Sequence, residues 1–135
     1  MDKPRVVETE VRVRYAETDA QGIVYYSNYF VWFEVGRVDY FRELGLSYAD
    51  LEREGLGFLI AEASCRYHAP AHFDELLMVR TWVEEVKSRS FILAYEMVNK
   101  ETGKLLATGR TVQVFVNQEG KPIAIPPRIK ALLEE

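Results

Sequence analysis

The sequence predicts an α+β domain in which a five-stranded antiparallel sheet wraps around one long central helix. Two observations lead to this prediction. An apolar segment at residues 27–44 has the length and composition of a long buried helix, and the segments around it have the pattern of strands. The later strands are joined by tight turns that contain glycine, and such turns connect antiparallel neighbours. Because an apolar sheet face must be covered, the sheet is expected to enclose the helix.

The first strand is predicted at residues 7–14, where apolar side chains and threonine alternate with charged ones. This period of two is typical of a strand with one buried face. The alternating positions are Val7, Thr9, Val11 and Val13 against Glu8, Glu10, Arg12 and Arg14. Residues 16–22 are then expected to form a loop, which holds two carboxylates and ends at Gly22.

The central helix is predicted at residues 27–44, where apolar residues cover most of the helical circumference. A helix that is apolar on nearly all sides is expected to be buried rather than laid on a surface. Gly45 stands at the position of a C-terminal cap. A second, short helix is expected to start at residues 47–50 and to end near Gly55.

The rest of the chain has the pattern of four strands and a last helix. Glycine-containing turns at residues 99–104 and 117–121 are expected to be hairpins. The predicted strands are residues 58–67, 76–86, 90–99 and 105–117, and the helix, with proline in its first turn, is residues 126–135. Since the 135 residues contain no repeat or linker, residues 1–135 are expected to form a single domain.

The composition argues against nucleic-acid binding and against stable membrane insertion. The formal net charge is −4 and the pI is about 5.3, whereas nucleic-acid-binding proteins usually present a basic face. No apolar run reaches the roughly 18 residues of a spanning helix, and the first 11 residues lack the apolar core of a signal peptide. The only cysteine, Cys65, excludes an intramolecular disulfide, so we expect a cytoplasmic protein in which Cys65 is a small buried residue.

Motifs of several other enzyme classes are missing from the sequence. It has no G-x-S-x-G elbow and no phosphate-binding P-loop. Gly55 and Gly57 begin a dinucleotide-binding pattern, but Ile60 stands where the third glycine belongs. His68 and His72 are four residues apart, as zinc ligands on a helix can be, yet the proline between them indicates a loop. We therefore expect no metal site.

The chemistry is expected at the loop that leads into the central helix. Asp19 and Gly22 stand directly before the helix N-terminus, whose free N–H groups carry a partial positive charge. A carbonyl oxygen placed there is polarised, and an oxyanion formed on it is stabilised. A carboxylate on the loop can attack that carbonyl or activate a water beside it. Two simpler interpretations stay open: Asp19 and Gly22 can form an ordinary type I turn, or Asp19 can only offset the helix dipole.

The same stretch resembles the signature of the 4-hydroxybenzoyl-CoA thioesterase family, and especially its acyl-CoA thioesterases associated with the Tol–Pal system. The matching positions are Tyr15, Thr18, Asp19, Gly22, Ile23, Val24, Tyr25, Tyr26, Tyr29 and Glu34. The likeness continues through residues 67–74, 88–91 and 107–116, so it covers nearly the whole chain. One position departs from the pattern. Many Tol–Pal-associated members have histidine where Tyr26 stands, so a mechanism that needs that histidine is not expected.

The resemblance implies a hotdog fold and hydrolysis of a fatty or aromatic acyl-CoA to free acid and CoA. Asp19 corresponds to the family's catalytic aspartate, acting as nucleophile or general base. The backbone amide of Tyr26 corresponds to the group that holds the thioester oxygen. No metal or redox cofactor is needed for this reaction. The family builds its sites between subunits, which implies a homodimer or homotetramer.

The resemblance also suggests residues that surround the reacting bond. At Gly22 a side chain is expected to crowd the thioester or to force an unfavourable backbone angle. Tyr25, Tyr26 and Tyr29 either line the acyl slot or pack in the core or a dimer interface. Two cations, Lys87 and Arg89, fall at a predicted turn between strands, where similar family members place basic residues; they either bind the CoA phosphates or form a solvated turn.

Glu17 and Glu34 are the other carboxylates of this region. Glu17 is expected to be solvated, and Glu34, mid-helix among apolar residues, is expected to be buried and hydrogen-bonded. Two rival functions remain: a hotdog dehydratase and a non-enzymatic acyl-thioester-binding or interaction module. A dehydratase usually pairs a histidine with a carboxylate, but the histidines here are far in sequence from Asp19. The intact Asp19 and Gly22 argue against the second rival.

Overall fold

A five-stranded antiparallel sheet with one long helix packed against one face makes up most of the computed structural model, which describes residues 5–135. In chain order the elements are β1 (Val7–Arg12), α1 (Asn28–Glu43), α2 (Tyr48–Arg53), β2 (Gly57–Tyr67), β3 (Leu76–Val86), β4 (Ser90–Asn99), β5 (Leu105–Val116) and α3 (Pro127–Leu133). The strands lie in the order β1-β3-β4-β5-β2, and all neighbours are antiparallel. The predicted fold class is therefore confirmed.

The core lies between the inner side of α1 and the sheet. Phe33 stacks on Tyr95 of β4 with ring centroids 4.4 Å apart, and Phe41 stacks on Phe58 of β2 at 5.3 Å. The helix approaches the sheet closely at Gly36. A Cβ at this position would lie 2.5 Å from the Thr81 hydroxyl oxygen, closer than real atoms pack.

Gly36→Ala is expected to lower the free energy of unfolding by about 2 kcal/mol, because adding a methyl group to a filled core forces its neighbours to move. Alanine's better helix propensity offsets only part of this cost. Chemical denaturation measures the change, with Glu43→Ala on the exposed end of the same helix as control. We expect that control to stay within about 0.5 kcal/mol of the wild type. Equal stability of Gly36→Ala and the wild type would contradict the close approach.

The expectation that α1 is buried on all sides is wrong. Its outer side is open to solvent, with Val31 50% and Val35 38% exposed. Glu34 lies on this side, so it is exposed rather than buried and hydrogen-bonded. The physical reason is that a single sheet covers only one side of a helix. An apolar sequence all round the helix therefore does not show that every side has a partner in the same chain.

The strand registers place the two regions of chemical interest at opposite ends of the sheet. Arg12 pairs with Leu76, so the segment that links β1 to α1 lies at the end where β3 begins. The turn that carries Lys87 and Arg89 follows the other end of β3, ten residues further along. At the rise of a strand, ten residues span about 33 Å.

Strand β2 lies at an edge of the sheet and is exposed along most of its 11 residues. Leu59 is 56% and Ile60 43% exposed. Cys65 in this strand is only half-buried, and burial raises the pKa of its thiol. Among the residues that the structure describes, no helix has the length and hydrophobicity needed to span a membrane.

Candidate active site

A short hairpin carries the predicted catalytic loop. Thr18 pairs with Val24, and the Asp19 amide donates to the Ile23 carbonyl at 2.8 Å. At the tip, the Gly22 amide donates to the Asp19 carbonyl at 3.1 Å, which closes a turn with aspartate first and glycine fourth. Gly22 has φ +76°, a conformation that glycine adopts without the strain a side chain would cause. The turn suggested by the sequence is thus present.

The Asp19 carboxylate is held by the same turn. Its Oδ1 accepts hydrogen bonds from the backbone amides of Gln21 at 2.8 Å and Ile23 at 3.2 Å. The residue is exposed, and within residues 5–135 its second oxygen accepts no hydrogen bond. The turn interpretation and the catalytic one are therefore compatible, because the turn orients the carboxylate and leaves one oxygen to solvent.

Helix α1 begins just after this hairpin. The Tyr25 amide donates to the Glu17 carbonyl at 2.9 Å, and the Asn28 side-chain amide donates to the same carbonyl at 2.9 Å. The next amides, those of Tyr26 and Ser27, donate to no protein acceptor in the described part of the chain. Free amides at a helix N-terminus are suited to bind a carbonyl oxygen that becomes negative. The Asp19 carboxylate makes no hydrogen bond to them, so both groups are available to a third molecule.

Glu17 is buried, with 5% exposure, so the expectation of a solvated side chain is wrong. Its Oε2 accepts a hydrogen bond from the indole N–H of Trp32 at 3.1 Å, and its Oε1 accepts one from the Arg14 amide at 2.8 Å. The Arg14 guanidinium lies 3.6 Å away. Glu17 therefore ties the loop that carries Asp19 to α1. A buried tryptophan N–H needs an acceptor, and Trp32 in the helix sequence was the signal for this contact.

The tyrosines divide between surface and core. Tyr25 and Tyr26 are 50% and 59% exposed, and their ring centroids lie 4.7 Å apart. Tyr29 is 2% exposed and packs against Trp32, which agrees with the core interpretation. Its ring nevertheless forms part of the wall of an open groove of about 320 Å³, together with Tyr26 and Tyr67.

Lys87 and Arg89 are exposed at the turn between β3 and β4, where the Lys87 amide donates to the Ser90 carbonyl at 2.7 Å. Within one chain, the structure does not bring them to Asp19. Lys87 instead lines a cleft of about 180 Å³ beside Arg110, a cation that sequence reasoning missed. Arg110 is paired with Glu84 at 2.7 Å.

The loop that carries His68 and His72 lies against the Asp19 hairpin despite its distance in sequence. His72 pairs through its backbone with Ile23. Its imidazole, however, lies 3.3 Å from Glu75 and makes no hydrogen bond to Asp19, so the structure shows no histidine–carboxylate pair at Asp19. His68 lies 3.1 Å from the Thr108 hydroxyl. Across residues 5–135 there is no group of three or more side chains suited to hold a metal ion.

Comparison with known proteins relates this geometry to one family. The family model described as "Thioesterase-like superfamily" matches residues 13–133. The chain is 37% identical over 119 residues to the putative acyl-CoA thioesterase YneP of Bacillus subtilis, covering 87% of this chain and 86% of that one. It is 36% identical to the acyl-CoA thioesterase YbgC of Haemophilus influenzae, covering 90% and 89%.

Among solved structures, the DHNA-CoA thioesterase of Staphylococcus aureus superimposes with a TM-score of 0.89 at 34% identity, covering 96% of this chain and 89% of that one. The family resemblance inferred from the Tyr15–Tyr29 region is confirmed by these matches.

Proposed function

The chain belongs to the thioesterase-like superfamily and has its hotdog fold, and we propose that it hydrolyses acyl-CoA thioesters through the carboxylate of Asp19. One observation carries the assignment of the residues. The Asp19 carboxylate is held on a hairpin tip that leads directly into the helix N-terminus. Among residues 5–135, one oxygen of this carboxylate and the amides of Tyr26 and Ser27 have no hydrogen-bond partner.

The reaction converts an acyl-CoA and water into a carboxylic acid and CoA. In one route, a carboxylate oxygen of Asp19 attacks the thioester carbon and forms a mixed anhydride, CoA leaves as thiolate, and water then cleaves the anhydride. In the other, Asp19 takes a proton from the water that attacks. Both routes develop negative charge on the thioester oxygen, and the Tyr26 amide stabilises that charge.

The aromatic residues next to this amide are proposed to contact the substrate. Tyr25 and Tyr26 present exposed rings beside the reacting bond, where an acyl group can pack on them. Tyr29, which is buried, forms part of the groove wall beside them. Gly22 keeps the turn free of a side chain, and a Cβ there would have no described protein atom within 4 Å. That open space is available to the thioester.

We propose that two copies of the chain build the site together. The free edge of β2 is exposed, and an unpaired edge readily pairs with another strand. A two-fold axis between identical edges makes that pairing antiparallel. The partner subunit's Lys87 and the partner subunit's Arg89 are then at the Asp19 end, whereas the chain's own pair is about 33 Å away. A homodimer is the smallest such assembly, and a homotetramer of two dimers keeps the same site.

We propose a cytoplasmic location, which the cysteine usage supports. The single half-buried cysteine needs no oxidising environment.

The proposed activity is tested by incubating the purified protein with a panel of aliphatic and aromatic acyl-CoAs and detecting free thiol. Thiol release supports hydrolysis. Formation of an enoyl-CoA from a 3-hydroxyacyl-CoA without thiol would show a dehydratase instead. Binding without either product would show an acyl-thioester-binding module.

Lys87→Ala/Arg89→Ala is expected to raise the Michaelis constant for acyl-CoA about tenfold, since each of two exposed charge contacts contributes up to about 1 kcal/mol. Turnover at saturation should stay nearly unchanged, because remote phosphates are held equally in ground and transition states. High salt should shrink the difference, and a short thioester without the nucleotide should not respond to the mutation. Lys121→Ala, at another exposed turn, is the control. An unchanged Michaelis constant for the full CoA ester would assign the pair to a solvated turn.

Mixed assemblies test whether those cations act across the subunit boundary. Refolding Asp19→Asn protein together with Lys87→Ala/Arg89→Ala protein gives heterodimers in which one site carries both defects and the other carries none. Activity at low substrate should then exceed the mean of the two parents. If both groups belonged to one chain's site, every site would carry a defect and no activity would return.

A further inference from the structure

Tyr67 makes a contact with the helix N-terminus that the proposed reaction does not yet use. It is the last residue of β2, and its hydroxyl donates a hydrogen bond to the Tyr26 carbonyl at 2.9 Å, across 41 positions of sequence. Its ring also meets two neighbours edge to face, with centroids 6.4 Å from Tyr26 and 5.0 Å from Tyr29. The strand and the start of the helix are thus joined through one side chain.

The Tyr26 carbonyl depends on this contact more than a helix carbonyl normally does. The Tyr29 amide is 3.4 Å away, beyond the usual distance for such a bond. The Phe30 amide, which would serve it in a regular helix, donates to the Ser27 carbonyl instead at 3.2 Å. Within residues 5–135, the hydrogen bond from the Tyr67 hydroxyl is therefore the shortest one that the Tyr26 carbonyl accepts.

The peptide group before Tyr26 is held by other contacts. Its oxygen, the Tyr25 carbonyl, accepts hydrogen bonds from the Asn28 amide at 3.0 Å and from the Asn28 side chain at 3.2 Å. The Tyr26 carbonyl belongs to the next planar peptide group, whose N–H is that of Ser27. The Ser27 N–H donates to no acceptor within residues 5–135, so the bond from Tyr67 to the Tyr26 carbonyl restrains the direction of this free N–H.

The phenol is a donor at every pH at which the protein works. Partial burial of the ring and the contact with Cys65 raise the pKa of Tyr67 to about 12. The hydroxyl therefore keeps its proton, and the bond to the Tyr26 carbonyl does not titrate near neutrality.

We propose that Tyr67 is a positioning residue that holds the backbone amide of Ser27, next to that of Tyr26, in an orientation that binds the thioester oxygen. This proposal rests on the proposed thioesterase function and assigns a further residue to it. The developing oxyanion gains more from a well-aimed N–H than the substrate carbonyl does, so correct aim affects the transition state most. Tyr67 itself touches no reacting atom and acts through Tyr26.

Tyr67→Phe is expected to lower turnover of acyl-CoA about tenfold, less than the 100-fold or more seen when an oxyanion donor is removed outright, because the amide is still present. The Michaelis constant should stay within about twofold, since ground-state binding is little changed. Tyr15→Phe is the matched control. It also loses one hydroxyl, its side chain is 75% exposed, and its ring contact with Phe73 does not involve that hydroxyl.

A second measurement reads how firmly the amide is held. The NMR order parameter of the Ser27 N–H should fall in Tyr67→Phe from the rigid range of about 0.85, and should not fall in Tyr15→Phe. Turnover within twofold of the wild type, or an unchanged order parameter, would overturn the proposal. The proposal would also be overturned if Tyr67→Phe lowered the melting temperature and changed turnover and the Michaelis constant by similar factors. That pattern would indicate a general loss of stability and not a misaligned amide. If the wild type hydrolyses no acyl-CoA, the proposed function has failed, and the order parameter alone decides on the positioning role.

Discussion

Asp19→Asn is expected to lower the turnover of acyl-CoA by about 100-fold or more, with the fold intact. An amide oxygen can replace Oδ1 as acceptor for the Gln21 and Ile23 amides, so the turn keeps its two hydrogen bonds. The free oxygen becomes an NH₂ group, which can neither attack a thioester carbon nor take a proton from water. Steady-state kinetics on the best substrate of the panel measure the effect, and the melting temperature shows whether the fold is kept.

Asp74→Asn is the matched control for this variant. Asp74 lies in the neighbouring loop, is exposed, and has φ +68°, a conformation that asparagine tolerates as well as aspartate does. The control loses only an exposed ion pair with Arg12, at 3.5 Å, and should keep its turnover. Near-wild-type turnover in a folded Asp19→Asn protein would remove Asp19 from the mechanism and leave the hairpin as a structural turn.

The parts of this site that follow from local sequence could be predicted. The loop that precedes α1, the turn from Asp19 to Gly22 and the helix itself depend on residues close together in the chain, and local preferences are strong there. The assignment of Asp19, Gly22 and Tyr26 to a thioester site needed the family resemblance as well. The geometry around these residues supports that assignment, which stays a prediction until the variants are measured.

The parts that depend on which surfaces meet could not be predicted. Glu17 is buried because the indole of Trp32, fifteen positions away, supplies a donor to it. Glu34 is exposed because the sheet covers only the other side of α1. Periodicity gives neither the side of a helix that faces the sheet nor the pairing of distant side chains.

Lys87 and Arg89 show the same limit on a larger scale. A turn between strands is readable from sequence, but its distance from Asp19 depends on strand register, which joins residues far apart in the chain. The register places the pair at the far end of β3, so their predicted role requires a second copy of the chain. We therefore propose that the pair still binds the CoA phosphates, but at the site of the partner subunit and not at the site of its own chain.

Gly22→Val is expected to reduce turnover by about 100-fold or more. The expected cause is strain in the backbone of the turn, not a clash of the new side chain with other protein atoms. No described atom lies within 4 Å of the position of the new Cβ, but φ is +76°, where a residue with a side chain pays about 1–2 kcal/mol and a β-branched one more. The strain is relieved when the turn opens. Opening breaks the bond from Gly22 to the Asp19 carbonyl, and with it the placement of the carboxylate.

Two controls separate this local effect from a loss of stability. Gly103→Val adds the same side chain at φ +74°, also in open space, at the remote turn between β4 and β5. It should cost a similar free energy of unfolding and leave turnover unchanged. Gly22→Asn should lose less activity than Gly22→Val, because asparagine adopts positive φ readily and keeps the turn, so that only crowding of the thioester by its side chain remains. If Gly103→Val lost turnover as fully as Gly22→Val, the effect would be unfolding and the turn would have no special role. If Gly22→Val kept its turnover, the Asp19 carboxylate would not need the turn to hold it, and the link from glycine to catalysis would fail.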